Sequence, residues 1–191
     1  MNNKDVLYID GSKYLINNPL NLVRAFILLD GSVKNYDLKK INDNVKDAKD
    51  LSYNIGVKTS TKKLDDCLMK NKKTIYKLLN NFNEKDELLD LSNEKWNKNK
   101  KILIEVIKNL VEPVGNGVGI ATATKILHKL RPGIVPIIDS KVCKLYLKKT
   151  NLDIDDLENI LDKIRKDMLS SKQLIDEIKK NLYLFSCPVF F

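Results

Sequence analysis

The chain has 191 residues, 43% of them hydrophobic, with 34 Lys and Arg against 25 Asp and Glu for a net charge of +9. That apolar content excludes a disordered chain, the length suits one domain with a sizeable core, and no apolar run is long enough to span a membrane. Cys67, Cys143 and Cys187 are odd in number and widely separated, which argues against a disulfide framework and a cysteine metal site and points to a cytoplasmic protein without metal or cofactor. The opening Met-Asn-Asn-Lys-Asp lacks the apolar stretch of a signal peptide.

In chain order, residues 6–16 predict a β-hairpin, because Asp10-Gly11 between apolar flanks is a type I′ turn signal. Asn18 then caps a helix with Pro19 at its first position, apolar nearly all round and ended by Gly31. Residues 32–58 are polar, with Tyr36, Leu38, Ile41 and Leu51 as their few anchors, and read as loop or weak surface helix. Two short amphipathic helices follow at 62–70 and 74–82, then a polar joint at Asn83-Glu-Lys-Asp. Ser92 caps a long helix that reaches Val111, with Trp96 near its start. For that indole, core packing is the preferred reading and a wedge into DNA the alternative.

Four of the seven glycines fall in the next stretch, at 115, 117, 119 and 133. Pro113 stops the long helix, Gly115, Gly117 and Gly119 make a sharp turn, and Ala121 to Leu130 form the second helix. A Walker loop needs Gly-Lys-Ser/Thr, and Gly119 is followed by Ile120-Ala121. A dinucleotide fingerprint needs a preceding strand, and the segment before these glycines is helical. A helix-hairpin-helix phosphate clamp fits. There the central apolar residue, Val118, packs between the helices while the glycines let backbone N–H groups approach a phosphate. Beyond the second helix, Ile134-Val135-Pro136-Ile137-Ile138 leads to Asp139, an N-cap for a helix running to about Lys149. Asp153 caps another helix through Leu169, Ser171 opens a last one through Leu184, and the apolar end Leu182 to Phe191 is expected to pack on the core or a protein partner, or to continue into further chain.

Gly-Val-Gly-Ile-Ala-Thr-Ala at 117–123 and Val-Pro-Ile-Ile-Asp-Ser-Lys-Val at 135–142, with 22 positions from Gly117 to Asp139, resemble the helix-hairpin-helix DNA glycosylase (HhH-GPD) superfamily. The likeness is to its endonuclease-III-like and adenine-glycosylase branches, or to a bacterial branch with the same Ala-Thr-Ala-Thr-Lys and Asp-Ser features, and it covers about a quarter of the chain, residues 99–145. It implies a mainly α-helical single domain over residues 1–191, with the hairpin core at about 99–150. It also implies an N-glycosylase acting on damaged or mispaired duplex DNA, with Asp139 catalytic. Phosphate contacts would come from Gly115, Gly117, Val118, Gly119, Thr122, Lys125 and Lys141. The departures are Asn116 for the usual proline, Gly115 for leucine, and Ala121 for the lysine of lyase-active members, so the activity expected is monofunctional. The alternatives are a glycosylase-fold nucleic-acid binder without catalysis, and a helical protein-interaction module.

Charge placement agrees with a nucleic-acid partner. From Lys95 to Lys149 there are twelve basic residues against Glu105, Glu112 and Asp139, while the rest of the chain balances at 22 and 22. The window includes Lys98, Lys100, Lys101 and Lys108 before the hairpin, and Lys125, Lys129, Arg131, Lys141, Lys144, Lys148 and Lys149 after it. His128 is the single histidine, which excludes paired-histidine metal sites, and its preferred role is structural.

Overall fold

The structure, a computed structural model, describes residues 5–16, 36, 39, 41, 43–111, 118–150 and 152–183. It is mainly α-helical with a short N-terminal β-hairpin. Strands β1 (Asp5–Ile9) and β2 (Ser12–Ile16) pair antiparallel with Ile9 opposite Ser12. Asp10 and Gly11 both take positive φ, 48° and 72°, as a type I′ turn requires. The turn is held from outside: the carboxylate of Asp167 accepts the N–H groups of Asp10 and Gly11.

The helices follow as α1 (Val45–Ser52), α2 (Thr61–Lys70), α3 (Lys72–Asn81), α4 (Asn93–Val111), α5 (Ile120–Leu130), α6 (Ser140–Leu147), α7 (Leu157–Ser170) and α8 (Lys172–Tyr183). Their starts obey local chemistry. Asn44 caps α1 by accepting from the amides of Lys46 and Asp47, and Ser92 accepts from Lys95 N–H at the head of α4. Asp153 and Asp156 form a capping box on the short 3₁₀ turn Ile154–Asp156 that leads into α7.

α5 lies at the centre: Ile120, Ala123, Thr124, Ile126, Leu127 and Leu130 are all buried, and α1 and α4 both pack on it. α7 packs against α4 and α6 on one side and carries the hairpin on the other. Trp96 is buried in this α4–α7 contact, its Nε1–H donating to Asp162 at 3.0 Å, which is the core role expected of it.

One expectation needs correction. Residues 32–58 are not merely loop or surface helix, since they hold α1, packed on α5. The polar composition concealed it because the contact uses small residues. Ala48, Leu51 and Ser52 recur at helical spacing and are buried, so α1 approaches closely without a long apolar stripe. Tyr36 and Ile41 are buried anchors as expected. Leu38, the helix expected at 18–31, Gly115, Gly117, Cys187 and the apolar end beyond Tyr183 lie outside the described residues.

Candidate nucleic-acid interface

α4 ends at Val111 and α5 begins at Ile120, the helix–turn–helix order the glycines imply. Val118 is buried in the core, as its place between the helices demands. Gly119 is exposed and forms the N-cap of α5 in extended conformation, φ −89° and ψ 168°. Glycine has no side chain to cap that end, and among the described residues no side-chain acceptor meets the first-turn N–H groups. A Cβ placed on Gly119 would meet nothing within 4 Å, so the fold itself does not require glycine there. Gly133 is the opposite case: its Cβ would lie 2.4 Å from the carbonyl oxygen of Asp86. At that close approach Leu88 N–H donates to the Gly133 carbonyl at 2.7 Å.

The segment from Gly133 to Asp139 is fastened to α5 at two points. His128 lies 2.6 Å through Nδ1 from the Val135 carbonyl, which can only accept, so Nδ1 carries the proton. Burial pulls the pKa of this ring down from 6.5 to about 4; the Val135 bond opposes the shift and Lys129 adds to it. The ring also stacks on Tyr36 at 6.1 Å. One turn earlier on the same helix, Thr124 is fully buried and its hydroxyl accepts Ile138 N–H at 3.1 Å. Ile134, Val135 and Ile138 fill the core between these bonds.

Asp139 emerges from that anchored segment as the N-cap of α6. Its Oδ1 accepts from the amides of Lys141 at 2.9 Å and Val142 at 3.0 Å. Oδ2 makes no hydrogen bond within the described residues, and the side chain is partly exposed. One turn along, the buried Cys143 thiol is pushed up in pKa by burial and by the Asp139 charge, so it is a poor nucleophile.

The basic window is less available than its composition suggests. Lys125 donates to the Ile55 carbonyl at 2.6 Å, closing the 3₁₀ turn Tyr53–Ile55. Lys129 donates to the Tyr36 carbonyl and lies over that ring. Arg131 is buried, bonding the carbonyls of Leu79 and Phe82 at the end of α3 and the carboxylate of Asp43. Lys100 is buried on α4; burial works against its ammonium, but Asp162 at 2.6 Å and Glu158 at 2.9 Å overcome this and raise its pKa. Lys148 meets Asp10, and Lys149 meets Asp153 and Asp156. A residue count over the window misses these partners because the carboxylates come from elsewhere in the chain. Lys98 and Lys101 on α4, and Lys141 and Lys144 on α6, remain exposed and make no ion pair among the described residues. Thr122 is half-buried, its hydroxyl 3.5 Å from that of Thr59.

Sequence reasoning passed over Thr124 and gave His128 no role beyond packing. The available signal was two hydrogen-bonding residues four apart on an otherwise apolar helix face. Among the clefts lined by described residues, one lies at Trp96 and Arg165 and two meet at Lys72 and Tyr76; Asp139 is not among the residues lining these. No group of described residues could hold a metal ion, and no described helix is long and apolar enough to cross a membrane.

The fold and site together define a helical protein in which the central helix starts at a glycine cap and its flank anchors the segment leading to a helix-capping carboxylate. Residues 51–184 match a family of unknown function, DUF6308, and the chain belongs to that family. The matched span contains both Gly119 and Asp139. No curated protein and no solved structure matches the chain significantly.

Proposed function

We propose that the protein is a DNA-binding, monofunctional N-glycosylase of the helix-hairpin-helix type, hydrolysing the glycosidic bond of a damaged or mispaired base. The observation that carries this reading is the state of Asp139. Two backbone amides hold Oδ1 and fix the carboxylate's orientation, while Oδ2 accepts no hydrogen bond among the described residues. A carboxylate so held can stabilise the positive charge that develops on the deoxyribose as the base departs, and can orient the attacking water. The glycine-capped start of α5 offers amides for a phosphate, and Lys141 and Lys144 follow Asp139 on α6. The base would have to leave the stack to reach the carboxylate.

The test is to incubate the protein with duplexes carrying single lesions or mispairs and to score alkali-labile abasic sites. Base release that disappears in Asp139→Asn supports the reading. Salt-sensitive duplex binding with no release from any duplex favours a second reading, a nucleic-acid binder of the same fold without catalysis. The observation on that side is that Lys98, Lys101, Lys141 and Lys144 are exposed and make no ion pair among the described residues, which serves binding without calling on a catalytic group. If no salt-sensitive duplex binding is found, both readings fail and a protein-interaction module takes their place.

A further inference from the structure

α3 bears a surface that the hairpin does not use. Two clefts of about 630 Å³ each meet there, and Lys72 and Tyr76 line both. One runs along α3 past Lys73, Asn80 and Asn81; the other lies between α3, the head of α1 and α2, over Leu68 and Met69. Tyr76 is 42% exposed and Met69 71%, a large apolar area for side chains on well-formed helices. The ammonium of Lys72 sits 5.9 Å from the centroid of the Tyr76 ring.

The charges around this surface are one-sided once their partners are counted. Asp43 is taken by Arg131, Asp65 by Lys49 at 2.6 Å, and Glu105 pairs with Lys77 at 2.8 Å. Lys46, Lys72 and Lys73 are exposed and carry no ion pair among the described residues. The clefts therefore offer an aromatic face, a thioether, unpaired ammonium groups and the amide side chain of Asn80. A ligand complementary to that set has flat rings with anionic groups at regular intervals. Bases stack on an aromatic ring only when their faces are open, so the strand must be unpaired.

We propose that the exposed face of α3 and its cleft against α1 and α2 bind single-stranded nucleic acid, with Tyr76 as the stacking platform and Lys72 and Lys73 as phosphate contacts. The site shares no residue with the hairpin or with Asp139, so it stands or falls separately from the glycosylase reading. For a protein that lifts a base from a duplex, it would give a hold on strand already opened.

The experiment measures fluorescence anisotropy of a labelled thymidylate oligomer of about twelve nucleotides, within the usual site size of such platforms. The wild-type chain should bind with salt-dependent affinity. Tyr76→Ala should weaken binding by about 5- to 150-fold, the equivalent of losing one stacked base, while Tyr76→Phe stays close to wild type. Lys72→Gln and Lys73→Gln should each lower the salt slope by about 0.7. Because these side chains are exposed, the variants should keep the wild-type circular dichroism spectrum. No binding by the wild type overturns the proposal. So does equal binding by Tyr76→Ala, or displacement of the oligomer by polyglutamate as effectively as by unlabelled DNA.

Discussion

The backbone N–H of Ile138 donates to the hydroxyl of Thr124 across 3.1 Å, and this one bond ties the residue before Asp139 to the buried face of α5. Thr124 completes its own bonding by donating to the Ala121 carbonyl at 3.3 Å, so neither buried group is left unsatisfied. With His128 gripping Val135 one turn later, α5 serves two purposes. Its first turn presents the amides behind Gly119, and its flank fixes the carboxylate at 139. The two halves of the sequence motif are thus parts of one rigid element, and their separation in sequence follows from the length of α5 plus the anchored segment.

Asp139→Asn is expected to abolish base release while leaving duplex binding intact or slightly tighter. Asparagine is as good an N-cap as aspartate, so the melting temperature should change little. On the proposed reading the substitution removes the negative charge that would stabilise the sugar cation, and one anion near phosphate as well. Abasic-site yield and binding isotherms on the same duplex separate the two effects. An Asn variant as active as wild type would remove Asp139 from the mechanism.

The two described hairpin-region glycines should respond in opposite ways. Gly119→Val has open space for its side chain and a backbone conformation that any residue adopts, so the protein should fold normally. Its branched side chain would nonetheless cover the start of α5, weakening duplex binding regardless of sequence. Gly133→Ala drives a Cβ to within 2.4 Å of the Asp86 carbonyl oxygen, and backbone must move. Thermal melts should show Gly133→Ala destabilised, by about 1–3 kcal/mol as for overpacked sites, with Gly119→Val near wild type. A folded Gly119→Val protein with unchanged duplex affinity removes the phosphate clamp.

That contrast marks what the sequence could carry. Gly119 and Gly133 look alike in the chain, yet one is open to solvent and the other is pressed against the loop at Asp86; only the tertiary path distinguishes them. Local signals were legible: the Asp10-Gly11 turn, the caps at Ser92, Asp139 and Asp153, and the apolar period of α4 all reappear in the fold. The charge window was not, because the partners of Lys100, Arg131, Lys148 and Lys149 lie at positions 162, 43, 10 and 156. Tyr76 and Lys72 drew no notice for the same reason. Their exposure depends on which side of α3 faces α4, and an amphipathic pattern alone does not reveal a cleft.

His128 should contribute a measurable acid sensitivity. In the folded chain its ring stays neutral down to about pH 4, whereas the unfolded chain takes up a proton near 6.5. Between those values the unfolded state binds more protons, so this contribution to stability is complete above 6.5 and is lost progressively as pH falls toward 4. The loss should amount to a few kcal/mol. Urea titrations from neutral pH down to 4 should therefore be steeper in pH for the wild type than for His128→Gln, which has no proton to gain. Parallel curves would show that the ring is not held neutral.

If the proposed glycosylase reading holds, the reaction should stop at the abasic site. In the lyase-active glycosylases whose motif the hairpin sequence resembles, the lysine two positions after the second hairpin glycine attacks the sugar as a free amine. Here that position is Ala121, half-buried in the first turn of α5, with no nucleophile to offer. Lys125 lies one turn further on, about 6 Å along the helix axis. Its ammonium donates to the Ile55 carbonyl at 2.6 Å and lies 3.8 Å from where a Cβ on Gly56 would stand. Reaching the sugar would break that bond and leave the carbonyl at the end of the 3₁₀ turn without its partner, a cost of about 1–3 kcal/mol. On the proposed reading water is therefore left as the nucleophile, with Asp139 to orient it. Reaction with borohydride present should give no covalent protein–DNA complex and no strand break in the absence of alkali. Trapping that vanishes in Lys125→Ala would make Lys125 the nucleophile and overturn the monofunctional assignment. Ala121→Lys in a wild type that releases base should install trapping, since the new amine would stand beside the start of α5 where the relatives place theirs.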